Sequence, residues 1–294
     1  MSVFVQQSGS VCDFPGSDAW VVLSPIEQSI KRKIEAVGTP LKDWDIQINY
    51  GIKTGYNEAF IIDKAKRDEI LANCQTEDER IRTAELIRPI LRGRDIKRYG
   101  YDWAGLYLIN THNGIKGKLE RIHIEDYPAV KAHLDQYWDK ISSRADKGDT
   151  PYNLRNCAYL EDFDKPKIVY PNMTKYLPFV YEDYGFCTNQ KCFIISGQTI
   201  EYLTAFFNSS LFKYCFRDSF PELQGGTREM SKIFFENISV AQVTGEINAQ
   251  FKNAVNDIQT DYSKSKAMAI DAMIFNLYNL SNTERQVIGF FEIE

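Results

Sequence analysis

Hydrophobic and polar positions along the chain follow two periods, and each period predicts a different kind of element. Near the N-terminus, isoleucines recur every four residues from Ile26 to Ile34, which is the spacing of one face of an amphipathic helix. Ser24 suits the N-cap of that helix, Pro25 suits its first position, and Glu27 lies three residues beyond the cap. A second capping box, at residues 76–79, predicts a helix that stops at Pro89.

Strict alternation of apolar and polar residues predicts strands elsewhere. Residues 46–50 alternate in this way, a glycine-containing connection follows at 51–57, and residues 59–62 resemble a return strand, so a β-hairpin is expected. Further short apolar or alternating runs, bounded by Pro, Gly and Asn, predict strands at 101–110, 167–170, 179–181 and 192–195.

Helical patterns return at 129–144 and 200–216, and they dominate the C-terminal part. From residue 246 to 280 the apolar positions begin with a near-heptad, which favours a helix packed lengthwise against another helix; its members are Ile247, Phe251, Ala254, Ile258 and Tyr262. Strands and helices interleave irregularly, so the predicted class is α+β, with mixed or antiparallel strands, packed helices and a helical C-terminal extension. The predicted organisation is a lead-in at 1–19, one domain at 20–245 and the extension at 246–294.

Composition sets the broad class. Of the 294 residues, 44% are hydrophobic and 26% charged, which is typical of a globular protein. The longest apolar run falls well short of the roughly 20 residues of a membrane helix, and the N-terminus lacks the features of a secretory signal. Six scattered cysteines without a CxxC pair favour free thiols in a reducing compartment. We therefore expect a cytoplasmic protein that has no membrane partner.

Charge is unevenly distributed along the chain. The net charge is −5, which argues against binding to nucleic acid by bulk electrostatics alone. Between residues 86 and 121, however, basic residues outnumber acidic ones by eight to three, whereas from 242 to 294 acidic residues lead by seven to four. Any functional interpretation has to explain this asymmetry between a basic middle and an acidic tail.

Signatures of catalysis and of cofactor binding are missing. Residues 51–55 (GIKTG) lack the spacing of a phosphate-binding loop, and neither a GxGxxG nor a GxSxG motif is present. The FxGxG and NPPY-type motifs of an adenine methyltransferase are also absent, so we expect no S-adenosylmethionine site. Three histidines, none in metal-ligand spacing, and the pair Cys187 and Cys192 do not supply a metal site. No catalytic residue, metal or cofactor is assigned to this chain.

What remains is a set of cationic, polar and aromatic residues in turns. The segment 92–99 places four cations beside Gly93, and guanidinium groups on a flexible turn suit phosphate contacts. Three other turns carry cations and hydrogen-bond donors: the expected hairpin tip, the loop at 172–176, which also has an aromatic ring, and the glycine turn at 225–228. The candidate nucleic-acid-binding residues are Lys53, Thr54, Asn57, Arg92, Arg94, Lys97, Arg98, Asn172, Lys175, Tyr176 and Arg228.

Two strings carry a specific resemblance to a known family. Residues 51–63 (GIKTGYNEAFIID) and 87–99 (IRPILRGRDIKRY) resemble the opening segments of the TaqI-like C-terminal specificity domain of restriction–modification proteins. The similarity continues in the family's order over roughly residues 20–290, through 167–171, 189–194, 202–211 and 270–288. Such domains form the target-recognition part of type IIG restriction endonuclease–methyltransferases and are related to the recognition domains of type I specificity subunits.

The resemblance implies a partner and a division of labour. It implies double-stranded DNA as ligand, with S-adenosylmethionine, adenine-N6 methylation and Mg²⁺-dependent cleavage in methyltransferase and nuclease domains upstream or on a partner subunit. We expect Arg92, Arg94, Lys97 and Arg98 to contact phosphates. The remaining candidates would contact base edges, above all those in the 172–176 loop, since loops on a scaffold vary freely.

Two alternatives stay open at this point. The chain could be a protein–protein adaptor that uses its C-terminal helix as the partner surface, or an enzyme whose site has no recognised motif. Salt dependence separates DNA binding from a helix-in-groove contact, and an activity screen with and without metal addresses the enzyme.

Overall fold

Helices and short strands alternate along the part of the chain that the computed structural model describes, residues 23–292. The predicted lead-in at 1–19 lies outside the described residues. The helices are α1 (Pro25–Val37), α2 (Asn57–Phe60), α3 (Lys64–Ala72), α4 (Glu77–Leu86), α5 (Pro128–Asp135), α6 (Trp138–Ser143), α7 (Ile200–Asn208), α8 (Ser210–Phe216), α9 (Lys232–Phe235), α10 (Gly245–Thr260), α11 (Lys264–Leu277) and α12 (Asn282–Ile288).

The strands are short and form two four-stranded sheets and three two-stranded ribbons within residues 23–292. They are β1 (Gly38–Pro40), β2 (Ile46–Tyr50), β3 (Ile61–Asp63), β4 (Ile87–Leu91), β5 (Ile96–Lys97), β6 (Gly100–Tyr101), β7 (Leu106–Ile109), β8 (Lys167–Pro171), β9 (Met173–Thr174), β10 (Val180–Glu182), β11 (Cys187–Thr188), β12 (Cys192–Gly197), β13 (Arg228–Glu229) and β14 (Ser239–Ala241).

The central sheet has the order β10–β8–β12–β2 and is antiparallel throughout. The second sheet has the order β11–β4–β7–β3, in which β11 runs parallel to β4 and the other pairs are antiparallel. The ribbons pair β1 with β14, β5 with β6 and β9 with β13. This architecture confirms the predicted α+β class with mixed and antiparallel strands and a helical C-terminal part.

The central sheet separates two hydrophobic clusters. Because successive side chains of a strand point to opposite faces, Ile168 and Ile195 enter one cluster, whereas their neighbours Val169 and Ile194 enter the other. The first cluster also contains residues of α1 and of α7 to α12. The second contains residues of α2 to α6 and of the second sheet. Both faces of the central sheet are therefore buried.

Helix starts follow the capping signals. The Ser24 hydroxyl accepts a hydrogen bond from the Glu27 amide, and the Glu27 carboxylate accepts one from the Ser24 amide at 2.7 Å, which completes the predicted capping box. Thr76 caps α4 in the expected place, but the helix ends at Leu86, because β4 begins at Ile87 and pairs with β7. The predicted strands at 46–50, 167–170, 179–181 and 192–195 are present with bounds that differ by at most two residues.

The predicted hairpin at 46–62 is wrong. Residues 57–60 form α2, and β3 pairs with β7 rather than with β2. Ala59 and Phe60 are consecutive and both fully buried, which a helical turn permits and a strand with one buried face does not. Gly51 instead lies against the loop before β12, where a β-carbon would come within 2.1 Å of the Asn189 carbonyl oxygen.

Two predicted helices and one predicted strand are each divided. The helix at 129–144 is interrupted between α5 and α6, and residues 101–110 form β6 and β7 rather than one strand. The helix at 200–216 breaks at Ser209, whose backbone is extended and whose hydroxyl accepts from the Phe212 amide as the N-cap of α8. A serine within an apolar helical pattern thus starts a new helix.

Helix α10 carries the near-heptad and packs on α7. Phe251 and Ile258 are buried, and the Phe251 ring lies 5.1 Å from the Tyr202 ring, as the lengthwise packing predicts. Tyr262 differs from the pattern, because it follows the end of α10 and is 49% exposed. The boundary at 245/246 stays a prediction. In the described part of the chain no helix is long and apolar enough to cross a membrane.

Candidate nucleic-acid interface

Four segments that are distant in sequence enclose one groove with a cavity volume of about 780 Å³. They are the turn after β4 with the following ribbon, the loop after β8, the loop before β12 and the turn between α10 and α11. One further residue, Asn57 at the start of α2, completes the lining. The groove is lined by Asn57, Arg92, Gly93, Arg94, Ile96, Lys97, Arg98, Pro171, Asn172, Met173, Thr174, Lys175, Tyr176, Pro178, Asn189, Lys191 and Tyr262.

The turn after β4 is held by an internal ion pair. Arg92 donates from Nε and Nη2 to both oxygens of the buried Asp95 carboxylate, at 3.0 and 2.7 Å, and the Arg92 amide donates to the same group at 2.8 Å. The hydrogen bonds that Arg92 donates to Asp95 raise the pKa of Arg92. Gly93 packs against the Lys191 carbonyl oxygen and Pro171, each 3.2 Å from where a β-carbon would stand. This anchoring leaves Arg94 as the exposed cation of the turn.

The loop after β8, residues 172–176, is fixed at its first residue by two hydrogen bonds; we call it the 172–176 loop. The Asn172 amide donates to the Lys191 carbonyl oxygen at 2.8 Å, and the Met230 amide donates to the Asn172 carbonyl oxygen at 2.7 Å. Within the loop, the Thr174 hydroxyl accepts from the Tyr176 amide at 3.0 Å. Met173 and Thr174 form β9, so this segment is half of a ribbon with β13 rather than an isolated turn.

The groove is electropositive although the chain is acidic overall. All six charged residues that line it are basic. Arg92 is paired with Asp95, and Lys97 lies 3.6 Å from Asp102. The described residues provide no ion-pair partner for the three remaining exposed cations, which are Arg94, Lys175 and Lys191. An anionic ligand would therefore meet cations that no internal carboxylate neutralises.

Eight of the eleven candidate residues line the groove, but one of these cannot act as expected. The Arg98 guanidinium is buried and donates to the carbonyl oxygens of Asn208 and Phe291, at 2.7 and 2.8 Å. Nη1 and Nη2 are engaged within the chain and the side chain is buried, which argues against the expected phosphate contact. The others in the groove are Asn57, Arg92, Arg94, Lys97, Asn172, Lys175 and Tyr176.

Three candidates lie outside the groove lining. Thr54 is 1% exposed and donates to the Asn57 side chain at 2.6 Å, so its hydroxyl supports the fold. Arg228, at the end of the expected glycine turn, pairs with Asp218 and Glu222, both at 2.8 Å. These contacts argue against the expected base-edge or groove contacts of both residues.

Lys53, the third of these candidates, is half-buried. Its Nζ lies 5.0 Å from the centre of the Tyr50 ring. It neither lines the groove nor lies at a hairpin tip, since no hairpin forms there.

Nine of the seventeen lining residues were not among the candidates, and three of these nine have exposed side chains: Met173, Lys191 and Tyr262. Met173 and Lys191 lie in strings that were already singled out, the 172–176 loop and residues 189–194, but neither residue was distinguished from its neighbours. Tyr262 was assigned to the apolar face of a helix. Only the fold brings the α10–α11 turn next to the ends of β5 and β8.

The described residues do not bring together a catalytic centre that we recognise. No group of three or more His, Cys, Asp or Glu side chains that could hold a metal occurs among them. Burial raises the pKa of the Cys187 thiol to about 11 and, more strongly, that of Cys192, so both are protonated at neutral pH. The groove is suited to binding an extended anion.

Comparison with known proteins identifies the family of the chain. The model of the TaqI-like C-terminal specificity domain family matches residues 88–240, which is more than half of the chain. Type II methyltransferase M.PaeR7I of Pseudomonas aeruginosa is 20% identical over 282 residues, 93% of this chain and 45% of that protein. Type II methyltransferase M.BanIII of Aneurinibacillus aneurinilyticus is 25% identical over 151 residues, 50% of this chain and 25% of that protein.

Among solved structures, the fold is similar to that of the type IIL restriction-modification enzyme MmeI in complex with DNA. The TM-score is 0.59 at 12% identity, over 85% of this chain and 35% of that one. The chain spans less than half the length of the curated relatives it matches.

Proposed function

This chain belongs to the family of TaqI-like C-terminal specificity domains, and we propose that it recognises double-stranded DNA as the target-recognition part of a restriction–modification enzyme in the cytoplasm. The observation that carries the proposal is the groove itself, which in a chain of net charge −5 has only basic residues among its charged lining. Lys and Arg contacts to phosphates supply much of the affinity of proteins for DNA.

We assign two tasks within the groove. Arg94, Lys97 and Lys191 are exposed cations on anchored backbone, and they are suited to fixing the duplex through its phosphates. Asn172 and Lys175 line the groove on the 172–176 loop, and their side-chain nitrogens are hydrogen-bond donors of the kind that read base edges. Asn57 and Tyr176 complete the groove wall, and Arg92 acts through its anchoring of Arg94.

Methylation and cleavage are assigned to other domains of the whole enzyme. The sequence lacks methyltransferase motifs, and the relatives that are named methyltransferases are more than twice as long as the part matched here. In this proposal S-adenosylmethionine, Mg²⁺ and adenine-N6 transfer belong to those domains. Incubation of the chain with plasmid DNA, Mg²⁺ and labelled S-adenosylmethionine should give neither label transfer nor nicking, and catalytic turnover of either kind would refute this assignment.

The apolar helix face that the adaptor alternative requires is not exposed on α10. The apolar face of α10 that was to bind a partner is buried against α7, through Phe251, Val255 and Ile258. We therefore do not propose a protein partner for that helix face.

Salt titration of duplex binding tests the proposal. The 294-residue chain is titrated with a fluorescent duplex library at increasing salt, and its affinity should fall by about 0.9 log units per log unit of salt for each phosphate contacted. Arg94→Ala and Lys191→Ala should each reduce the slope by about one contact and weaken binding on all sequences alike. Lys116→Ala, which removes an exposed lysine outside the groove, is the matched control and should leave the slope unchanged. Salt-independent binding, or equal effects of Lys191→Ala and Lys116→Ala, would refute the proposal.

A further inference from the structure

An exposed methionine lines the basic groove. Met173 is 48% exposed and lines the groove between Asn172 and Lys175. Met230, which directly follows the partner strand β13, is by contrast fully buried in the first hydrophobic cluster. Met230 is therefore buried in the core, whereas Met173 lies at the surface. The exposed part of an apolar side chain contributes no burial free energy in the free protein.

The backbone that carries Met173 is fixed before any ligand binds. Met173 pairs with Glu229 across the β9–β13 ribbon, and the hydrogen bonds of Asn172 and Thr174 described above hold the residues on either side. Beyond the loop, Leu177 has a left-handed backbone with φ of 49° and a side chain that is 1% exposed in the core. A side chain on such a support meets a ligand with little loss of backbone entropy.

The shape of the β9–β13 ribbon and the apolar side chain of Met173 favour the major groove of DNA over the minor groove. A two-stranded ribbon fits the major groove of B-DNA, and the apolar group that base edges show there is the C5 methyl of thymine. The minor groove shows no such group. We propose that the 172–176 loop enters the major groove and that Met173 contacts a thymine C5 methyl, which makes Met173 a specificity-determining residue. This inference rests on the proposed DNA recognition.

Removal of the methyl group from the DNA tests the contact. The 294-residue chain first selects its preferred sequence from random duplexes, and each thymine of that sequence is then replaced by uracil, which lacks only the methyl. At one position uracil should weaken binding about fourfold, the value expected for one buried methyl-sized group. Met173→Ala should abolish that difference, and Met173→Leu, which keeps an apolar side chain, should retain it.

Two controls accompany the measurement. Met268→Ala removes an exposed methionine of α11 that does not line the groove, and it should leave the uracil effect intact. Inosine in place of guanine removes a minor-groove amino group, and it should act equally on the wild-type chain and on Met173→Ala. Thermal melting of each variant checks that the fold is kept.

The possible outcomes separate this inference from the proposal on which it rests. A selected sequence without thymine, uracil effects that are absent, or uracil effects that persist in Met173→Ala would each overturn the methyl contact while leaving DNA recognition in place. An inosine effect that disappears in Met173→Ala would overturn it in favour of a minor-groove contact. Failure of the chain to bind any duplex in a salt-dependent way would overturn both.

Discussion

The Arg98 guanidinium donates to the carbonyl oxygen of Phe291 at 2.8 Å, across 193 residues of sequence. The same side chain donates to the Asn208 carbonyl oxygen and lies 5.1 Å from the centre of the Phe290 ring. A cation from the basic segment therefore joins the β5–β6 ribbon to the last residues that the structure describes, and its function differs from that of its neighbour Lys97, which is exposed at the groove.

Replacement of Arg98 should therefore affect stability rather than the phosphate contacts. Arg98→Ala leaves two carbonyl oxygens without their charged donor, and it should lower the free energy of unfolding by about 2 kcal/mol. Lys97→Ala should change stability by less than about 0.5 kcal/mol, as surface substitutions do, and should instead reduce the salt slope of DNA binding. Urea denaturation and salt titration of both variants measure the two effects. The reverse pattern would mean that Arg98 contacts DNA.

Lys175 should determine base preference, in contrast to Arg94. Base-edge contacts discriminate by about 1–3 kcal/mol each, whereas phosphate contacts carry no direct sequence information. Lys175→Ala should flatten the preference at one base pair and weaken binding to unrelated DNA only slightly. Competition titration against single-base variants of the selected sequence measures both quantities. If Arg94→Ala changed base preference while Lys175→Ala weakened all sequences alike, the two assignments would be reversed.

Acid should destabilise the contact between α12 and α1 through Glu284. Burial tends to raise the pKa of this carboxyl, but hydrogen bonds from Lys33, Ser29 and Ser281 dominate and lower it to about 2. A pKa lowered in the folded state stabilises the fold above the unfolded value of about 4.3, and this stabilisation is lost as the pH falls from about 5 to 2.

Glu284→Gln should therefore be less stable than the wild type near pH 7, by about 1–2 kcal/mol, and the two should converge at about pH 2. Urea denaturation at a series of pH values measures the difference. Glu246→Gln, at an exposed position in the first turn of α10, should follow the wild-type curve. A difference between Glu284→Gln and wild type that did not vary with pH would contradict the assignment.

Packing of α10 against α7 should depend on Phe251. The ring is 1% exposed and lies among apolar residues of the first cluster, so Phe251→Ala should lower the free energy of unfolding by about 3–5 kcal/mol. Asn253→Ala, two residues further along the exposed side of the helix, should have little effect. Chemical denaturation of the two variants provides the comparison, and similar small losses would show that α10 does not depend on this contact.

Local signals in the sequence were sufficient for much of the fold. The capping residues Ser24 and Thr76 start their helices, and period-two alternation at Ile46–Tyr50 marks a strand, because both signals depend on residues close in sequence. The return strand expected at 59–62 failed because the burial of two consecutive residues, Ala59 and Phe60, is decided by tertiary packing.

The groove was only partly predictable for a related reason. The charge of a residue such as Arg94 or Arg98 is visible in the sequence, but whether its guanidinium faces solvent or the carbonyl oxygens of a distant loop is not. Lys191 and Tyr262 reach the groove through the order of the strands and the turn between two helices, which no local pattern encodes.

The position of the central sheet between the two clusters has a consequence for cooperativity. Adjacent residues of β8, such as Ile168 and Val169, belong to different clusters. If one cluster unfolded, the face of the central sheet that packs on it would be exposed to water, while the opposite face stayed packed on the other cluster. The two clusters should consequently melt in a single transition. A destabilising substitution far from the groove, on either side of the sheet, would then lower the fraction of folded molecules that can bind DNA. The base preference of the molecules that remain folded would not change.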